Sequence, residues 1–164
     1  LGDKPEPCYA SPMSLESVRQ FFQERGVDVP ILITPQTTAT VETAAAAHGV
    51  SAGEIAKTLA FRLKDDRVIL VVAAGDVRVD HGLFKAVFGK GKMLGAEEVV
   101  QLTGHPVGGV CPFGLATPLP VYLDTSLQRF TEMLPAAGSI DSAVRIRVDL
   151  MAELTQGTWV TVCG

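Results

Sequence analysis

The chain has 164 residues, 47% hydrophobic and 20% charged, which suits one folded domain with its own core and excludes a disordered segment. Its formal net charge of −4 argues against broad, charge-driven contact with a nucleic-acid backbone, though not against a grip on the end of an RNA. No apolar run approaches the ~20 residues that span a bilayer, no cleavable leader opens the chain, and Cys8, Cys111 and Cys163 lack the spacing of a disulfide framework or a zinc site, so a cytoplasmic chain without a metal is expected.

Residues 1–12 carry three prolines and little periodicity and read as a tail, leaving 13–164 as a single domain. Leu15, Val18, Phe21 and Phe22 follow a helical period between Ser14, a good N-cap, and Gly26. Ile31-Leu32-Ile33 predicts a short buried strand. Thr40 caps the alanine-rich helix that Gly49 stops, and Ser51-Ala52-Gly53-Glu54 is a capping box. From Thr58 the period falls to two: Leu59, Phe61 and Leu63 alternate with Ala60 and Arg62. Val68–Ala73 returns after a polar turn as a nearly all-apolar strand, which makes a central hairpin. Asp80 caps a helix bearing Leu83, Phe84, Val87 and Phe88, and Gly95 precedes another bearing Val99 and Leu102. Strands are expected at Val107–Val110, Val121–Leu123, Ala143–Val148 and Thr158–Val162, with a short helix at Leu150–Leu154. Hairpins interrupt any regular βαβ alternation. The fold class is therefore α/β of the α+β kind, a mixed, largely antiparallel sheet surrounded by helices.

The segment Gly108-Gly109-Val110-Cys111-Pro112-Phe113-Gly114 stands apart. Three glycines and a proline in seven residues fix an unusual path and remove side chains that would block a ligand. Its amides could converge on an anion or a developing oxyanion, and a tight connection between strands explains the composition equally well. The spacing fits neither a dinucleotide fingerprint nor a phosphate loop. Cys111 could serve as a nucleophile only with a base such as His48, His81 or His105, and no pattern links them. Lys57, among small and apolar neighbours, either snorkels outward or meets a charge partner in a cleft. Asp124 is most simply an N-cap, and Gly138-Ser139 a small-residue turn. Arg78, Lys85, Lys90 and Lys92 concentrate positive charge beside Asp76 and Asp80, as a solvated surface or, less simply, a docking patch. The residues alone reach as far as a hydrolase or ligand-binding domain.

The ordered set is more specific: Ala56-Lys57-Thr58-Leu59 opening a strand, then Gly108-Gly109-Val110-x-Pro112-x-Gly114, Leu123-Asp124 and Ala137-Gly138-Ser139. Over about Ser14 to Val162 it resembles the YbaK/EbsC family of prolyl-tRNA editing domains. The resemblance implies hydrolysis of the ester that joins a wrong amino acid to the tRNA 3′ end, a second sieve for small side chains that size alone sorts poorly. It implies catalytic roles for Lys57, at the terminal adenosine or its phosphate, and for the backbone of Gly108, Gly109 and Val110 at the carbonyl. Thr40, Cys111, Pro112, Phe113, Gly114, Asp124, Gly138 and Ser139 would line the substrate site. No protein nucleophile, cofactor or metal is implied, since the substrate's own ribose hydroxyl assists water. The partners implied are the tRNA acceptor 3′ end and prolyl-tRNA synthetase, with no membrane.

The chain departs from many members at Gly138–Ser142, which lacks a second glycine. It also departs at Arg145, where some carry an acidic residue, and at Thr37–Glu42, where some place an aromatic one. These positions bear on the amino-acid pocket and leave alanine, cysteine, serine and threonine as candidates. They also motivate an alternative, a catalytically silent module of the same fold that binds tRNA, a nucleotide or a synthetase.

Overall fold

The computed structural model describes residues 12–164, so the expected tail and Cys8 lie outside the described residues apart from Pro12. Helix α1 (Pro12–Glu24) begins before Ser14. Ser14 is thus inside the helix rather than its cap, and its hydroxyl is spent on a distant partner. Val18 and Phe22 form the buried stripe, with Leu15 and Phe21 at its margin.

Strand β1 (Ile31–Ile33) pairs antiparallel with β7 (Ser142–Val144) in a small two-stranded sheet. It is an edge, not a buried strand: Ile33 is 53% exposed. Helix α2 (Val41–His48) is capped as expected, Thr43 N–H donating to Thr40 Oγ1 at 3.1 Å. A 3-10 turn at Ala52–Glu54 follows, where the Glu54 carboxylate accepts from Ser51 N–H at 3.0 Å.

The central hairpin joins β2 (Ile55–Leu63) and β3 (Val68–Ala74) through seven antiparallel residue pairs. Helix α3 (His81–Phe88) is held at its start by Asp80, which accepts from Leu83 N–H at 2.9 Å. Only Phe84 of its apolar face is buried, and Leu83 and Val87 stay exposed. Then come β4 (Gly91–Met93), α4 (Ala96–Thr103), β5 (Val121–Asp124), a 3-10 turn at Thr125–Arg129, and β6 (Glu132–Pro135). Strand β7 is followed by β8 (Ile146–Arg147), α5 (Val148–Thr155) and β9 (Thr158–Val160). The expected single strand over Ala143–Val148 is thus broken at Arg145, and its last residue opens the helix. Residues 107–110, expected as strand, form a turn.

In the main sheet the order is β8-β6-β2-β3-β5-β9, with β4 also beside β2. The sheet is mixed, as expected: β2–β3, β2–β4 and β6–β8 run antiparallel, while β2–β6, β3–β5 and β5–β9 run parallel. Strand alternation divides the core. Ala56 and Ala60 face the larger cluster, with Val18, Phe22 and Phe113 from α1 and the glycine-rich loop. Phe61 and Leu63 face the smaller one, with Phe84, Val162 and Cys163.

Candidate active site

The site begins with an interruption in the sheet. On the side away from β3, β2 is paired with β6 only at Ile55 and Ala56, and with β4 only from Phe61 to Leu63. Residues 57–60 between them have no strand partner on that side among the described residues. Leu63 N–H donates to Arg67 in the hairpin, so odd-numbered residues of β2 turn their backbone groups toward β3 and even-numbered ones turn away. Ala60 accordingly accepts from Leu94 N–H at 3.1 Å. The backbone groups of Thr58 are left aimed into the notch. A cavity of about 350 Å³ opens there, walled by Ala56, Thr58, Ala60, Thr38–Val41, Leu134, Ala143, Gly108 and Val110 among others.

The glycine-rich segment reaches this cavity through two residues only. Gly109 N–H is already used, donating to Pro106 O at 2.8 Å, and Gly109 O accepts from Gly138 N–H at 3.0 Å. The amides of Gly108 and Val110 have no acceptor among the described residues. Both glycines are required by close approach: a Cβ on Gly108, whose φ is 93°, would lie 2.8 Å from Ala39 Cβ, and one on Gly109 would lie 2.8 Å from the Ser139 carbonyl carbon. The 108–110 and 138–139 turns are therefore locked together, although neither Gly138 nor Ser139 lines the cavity. Ser139 Oγ bonds to Asp141 Oδ1 at 2.8 Å and to Ser142 Oγ at 2.5 Å, which leaves it a builder of its own turn.

The other loop residues turn away from the cavity. Cys111 and Phe113 are fully buried in the core, and the Phe113 ring packs 4.9 Å from Phe22 and 5.6 Å from Phe21. Pro112 and Gly114 border a separate groove beside α1. Beneath the loop lies fully buried His105. Its Nε2 is 2.8 Å from Phe113 O and its Nδ1 is 2.7 Å from Ser14 Oγ. A carbonyl can only accept, so Nε2 carries the proton and Nδ1 accepts from the serine. Cys111 Sγ is 3.7 Å from His105 Nε2, yet burial pushes the thiol up to about 12 and pushes the imidazole below its usual value. This is a packing cluster without a thiolate.

Lys57 forms part of the cavity wall, but as an odd-numbered residue it shares the face of Phe61 and Ala73, and its ammonium donates to Val77 O. Among the described residues no carboxylate lies within ion-pair distance of it. Asp124, 1% exposed, caps the 3-10 turn by accepting from Ser126 N–H at 2.9 Å. Its other oxygen accepts from Val162 N–H (2.8 Å) and Cys163 N–H (3.1 Å). With all these bonds to backbone, Asp124 is a clamp on the C-terminal segment and does not line the cavity.

Residues 35–154 match the aminoacyl-tRNA editing domain family. The chain belongs to this family. It is 45% identical over 153 residues to the uncharacterized protein YwhH of Bacillus subtilis (strain 168), a match covering 92% of this chain and 98% of that protein. A second relative is the proline–tRNA ligase of Desulfovibrio desulfuricans, 32% identical over 123 residues, which are 73% of this chain and 20% of the ligase. Among solved structures, one described as a candidate trans-editing enzyme for prolyl tRNA synthetase superposes with a TM-score of 0.85. It is 32% identical, and the match covers 94% of this chain and 98% of that one.

In this editing domain the cavity contains one group that sequence reading passed over. Thr58 Oγ1 is buried at the wall and has no hydrogen-bond partner among the described residues, whereas Thr38 Oγ1 is spent on Ile140 O at 3.0 Å and Thr40 on its helix. An unpaired buried hydroxyl is costly. The signal was present in the period-two pattern, which places Thr58 on the face of Ala56 and Ala60. Among the described residues no helix is long and apolar enough to cross a membrane.

Proposed function

We propose that this editing domain is an aminoacyl-tRNA deacylase acting in the cytoplasm. Its substrate would be tRNA-Pro carrying a wrongly attached small amino acid such as alanine, cysteine, serine or threonine, and prolyl-tRNA synthetase its working partner. The observation that carries the reading is the pair of unengaged amides, Gly108 and Val110, at a cavity floored by an unpaired stretch of β2. Water adds to the ester carbonyl carbon, and the carbonyl oxygen takes up negative charge against these two amides. The carbon–oxygen bond to the ribose then breaks, the ribose oxygen takes one proton of the attacking water, the other passes to solvent, and the amino acid leaves as its carboxylate. The wall of alanines and valines suits a small side chain, and Thr58 Oγ1 offers the substrate one polar contact. Lys57, a half-buried cation with no carboxylate partner among the described residues, exchanges the Val77 carbonyl for the terminal nucleotide. Similarity to a proline–tRNA ligase and to a candidate trans-editing enzyme for prolyl tRNA synthetase supports the choice of tRNA.

The test is deacylation of tRNA-Pro charged in turn with alanine, cysteine, serine and threonine. At least one is expected to be released, with the rate falling at least tenfold in Lys57→Ala and persisting in Cys111→Ser. If all four stay intact under enzyme excess, the reading fails in favour of a silent binding module. Loss of activity in a folded Cys111→Ser protein would instead favour a cysteine hydrolase.

A further inference from the structure

Beside the cavity runs a groove of about 690 Å³ lined by Arg62, Lys64, Lys90 and Lys92, with Glu98 as the one carboxylate. Groove and cavity share Met93 and Leu94, so the two adjoin. We propose that this groove binds the phosphodiester backbone of the unpaired 3′ nucleotides of the RNA, leading the terminal nucleoside into the cavity. The proposal rests on the deacylase reading for the identity of what occupies the cavity.

Three observations carry it. The protein is acidic overall, yet four cations converge on a single depression, and Glu98 pairs with only one of them, Arg62. Lys64, Lys90 and Lys92 have no carboxylate within 4 Å among the described residues. The sheet register also sets Lys92 directly opposite Arg62. Like charges facing each other across a ladder cost stability, a cost that an anion between them would offset. Third, the strand that carries Lys92 is fully outward: all of β4 is exposed, and Met93 at the junction is 56% exposed. Met93 gives a base or ribose an adaptable apolar surface, while the lysines meet phosphate as mobile point charges. A chain whose terminal ribose sits in the cavity must leave by its mouth, and the groove is a cationic exit. The structure also regroups the basic residues: Lys90 and Lys92 join Arg62 and Lys64, whereas Arg78 pairs by its backbone with Gly164 elsewhere.

The experiment measures binding of a fluorescent single-stranded RNA ending in CCA, from low to moderate salt, by the whole chain. Wild type is compared with Lys90→Ala/Lys92→Ala and with Arg19→Ala/Arg147→Ala, which removes the same charge outside the groove. Loss of two phosphate contacts should weaken binding roughly tenfold and lower the salt slope by about 1.4, at ~0.7 per single-strand phosphate. The control pair should bind like wild type. An unchanged slope in the groove variant, an equal loss in the control, or no binding by wild type overturns the proposal. Deacylation is scored separately: hydrolysis of aminoacyl-tRNA with the same KM in the groove variant defeats the groove and spares the deacylase. Slope loss without hydrolysis of any substrate does the reverse.

Discussion

Replacing His105 with alanine tests whether the glycine-rich loop is held from beneath. The imidazole joins α1 to the loop through Ser14 Oγ and Phe113 O, both in the core. Alanine leaves each of these groups buried and unpaired, at ~1–3 kcal/mol apiece, and opens a cavity as well. A loss of roughly 3–5 kcal/mol is expected, which for a chain of this length lowers Tm by about 6–20 °C. The same residue imposes a pH dependence. Burial holds the folded imidazole below its usual pKa, so on acidification the unfolded chain takes up this proton first. Stability contributed by the neutral ring is therefore complete above pH ~6.5 and is lost below it, by at most ~1.4 kcal/mol per pH unit, until the folded pKa is reached. His48 is shifted in the same direction by burial and by the Arg145 charge, so His48→Gln serves as the parallel measurement. Urea unfolding followed by Trp159 fluorescence at pH 7 and pH 5 gives the quantities directly. The wild type should lose stability between the two, and His105→Ala should lose measurably less. An unchanged pH dependence in His105→Ala, or a cost below ~1 kcal/mol at pH 7, would refute the account.

Two further changes probe the frame. Gly109→Ala drives a methyl into the Ser139 backbone and strains the Gly138 N–H bond to Gly109 O. A cost of about 2–3 kcal/mol is expected from overpacking and the weakened bond, read as a lower urea midpoint with an unchanged m-value; a loss below ~0.5 kcal/mol would contradict the close approach. Asp124→Ala removes the acceptor for the N–H groups of Ser126, Val162 and Cys163. It should cost about 3 kcal/mol and speed hydrogen exchange at Val162 and Cys163. Protection at those two amides equal to wild type would show that the clamp is dispensable.

Much of the frame was legible in the sequence because its signals are local. The β2–β3 hairpin is written in residue alternation, and Thr40, Asp80 and Glu54 cap what they were expected to cap. Strands β4 and β6 were missed because three or four residues carry no period of their own. They are strands by virtue of lying against β2, a tertiary fact. The glycine-rich segment was recognisable as special, but the identity of its cavity-facing residues depends on how α1 seizes Phe113 through Phe21 and Phe22, far off in sequence. Asp124 shows the same limit: its cap to Ser126 is two residues away and predictable, while its bonds to Val162 and Cys163 span nearly forty. Lys57 and Thr58 sit on opposite faces of β2 by simple alternation, yet only the fold reveals that both border the cavity and that Lys57 reaches Val77 O.

The notch in β2 has a consequence for solubility. Unpaired main chain along a strand is the usual template for a second copy to add a strand and begin aggregation. Here the stretch that lacks a second strand neighbour is four residues long and lies between β6 and β4, so it stops short of the five or six residues of a typical strand. An intruding chain would collide with its flanks before the ladder could lengthen. The main-chain groups of Thr58 thus have no strand partner among the described residues, in a gap too short to seat another strand.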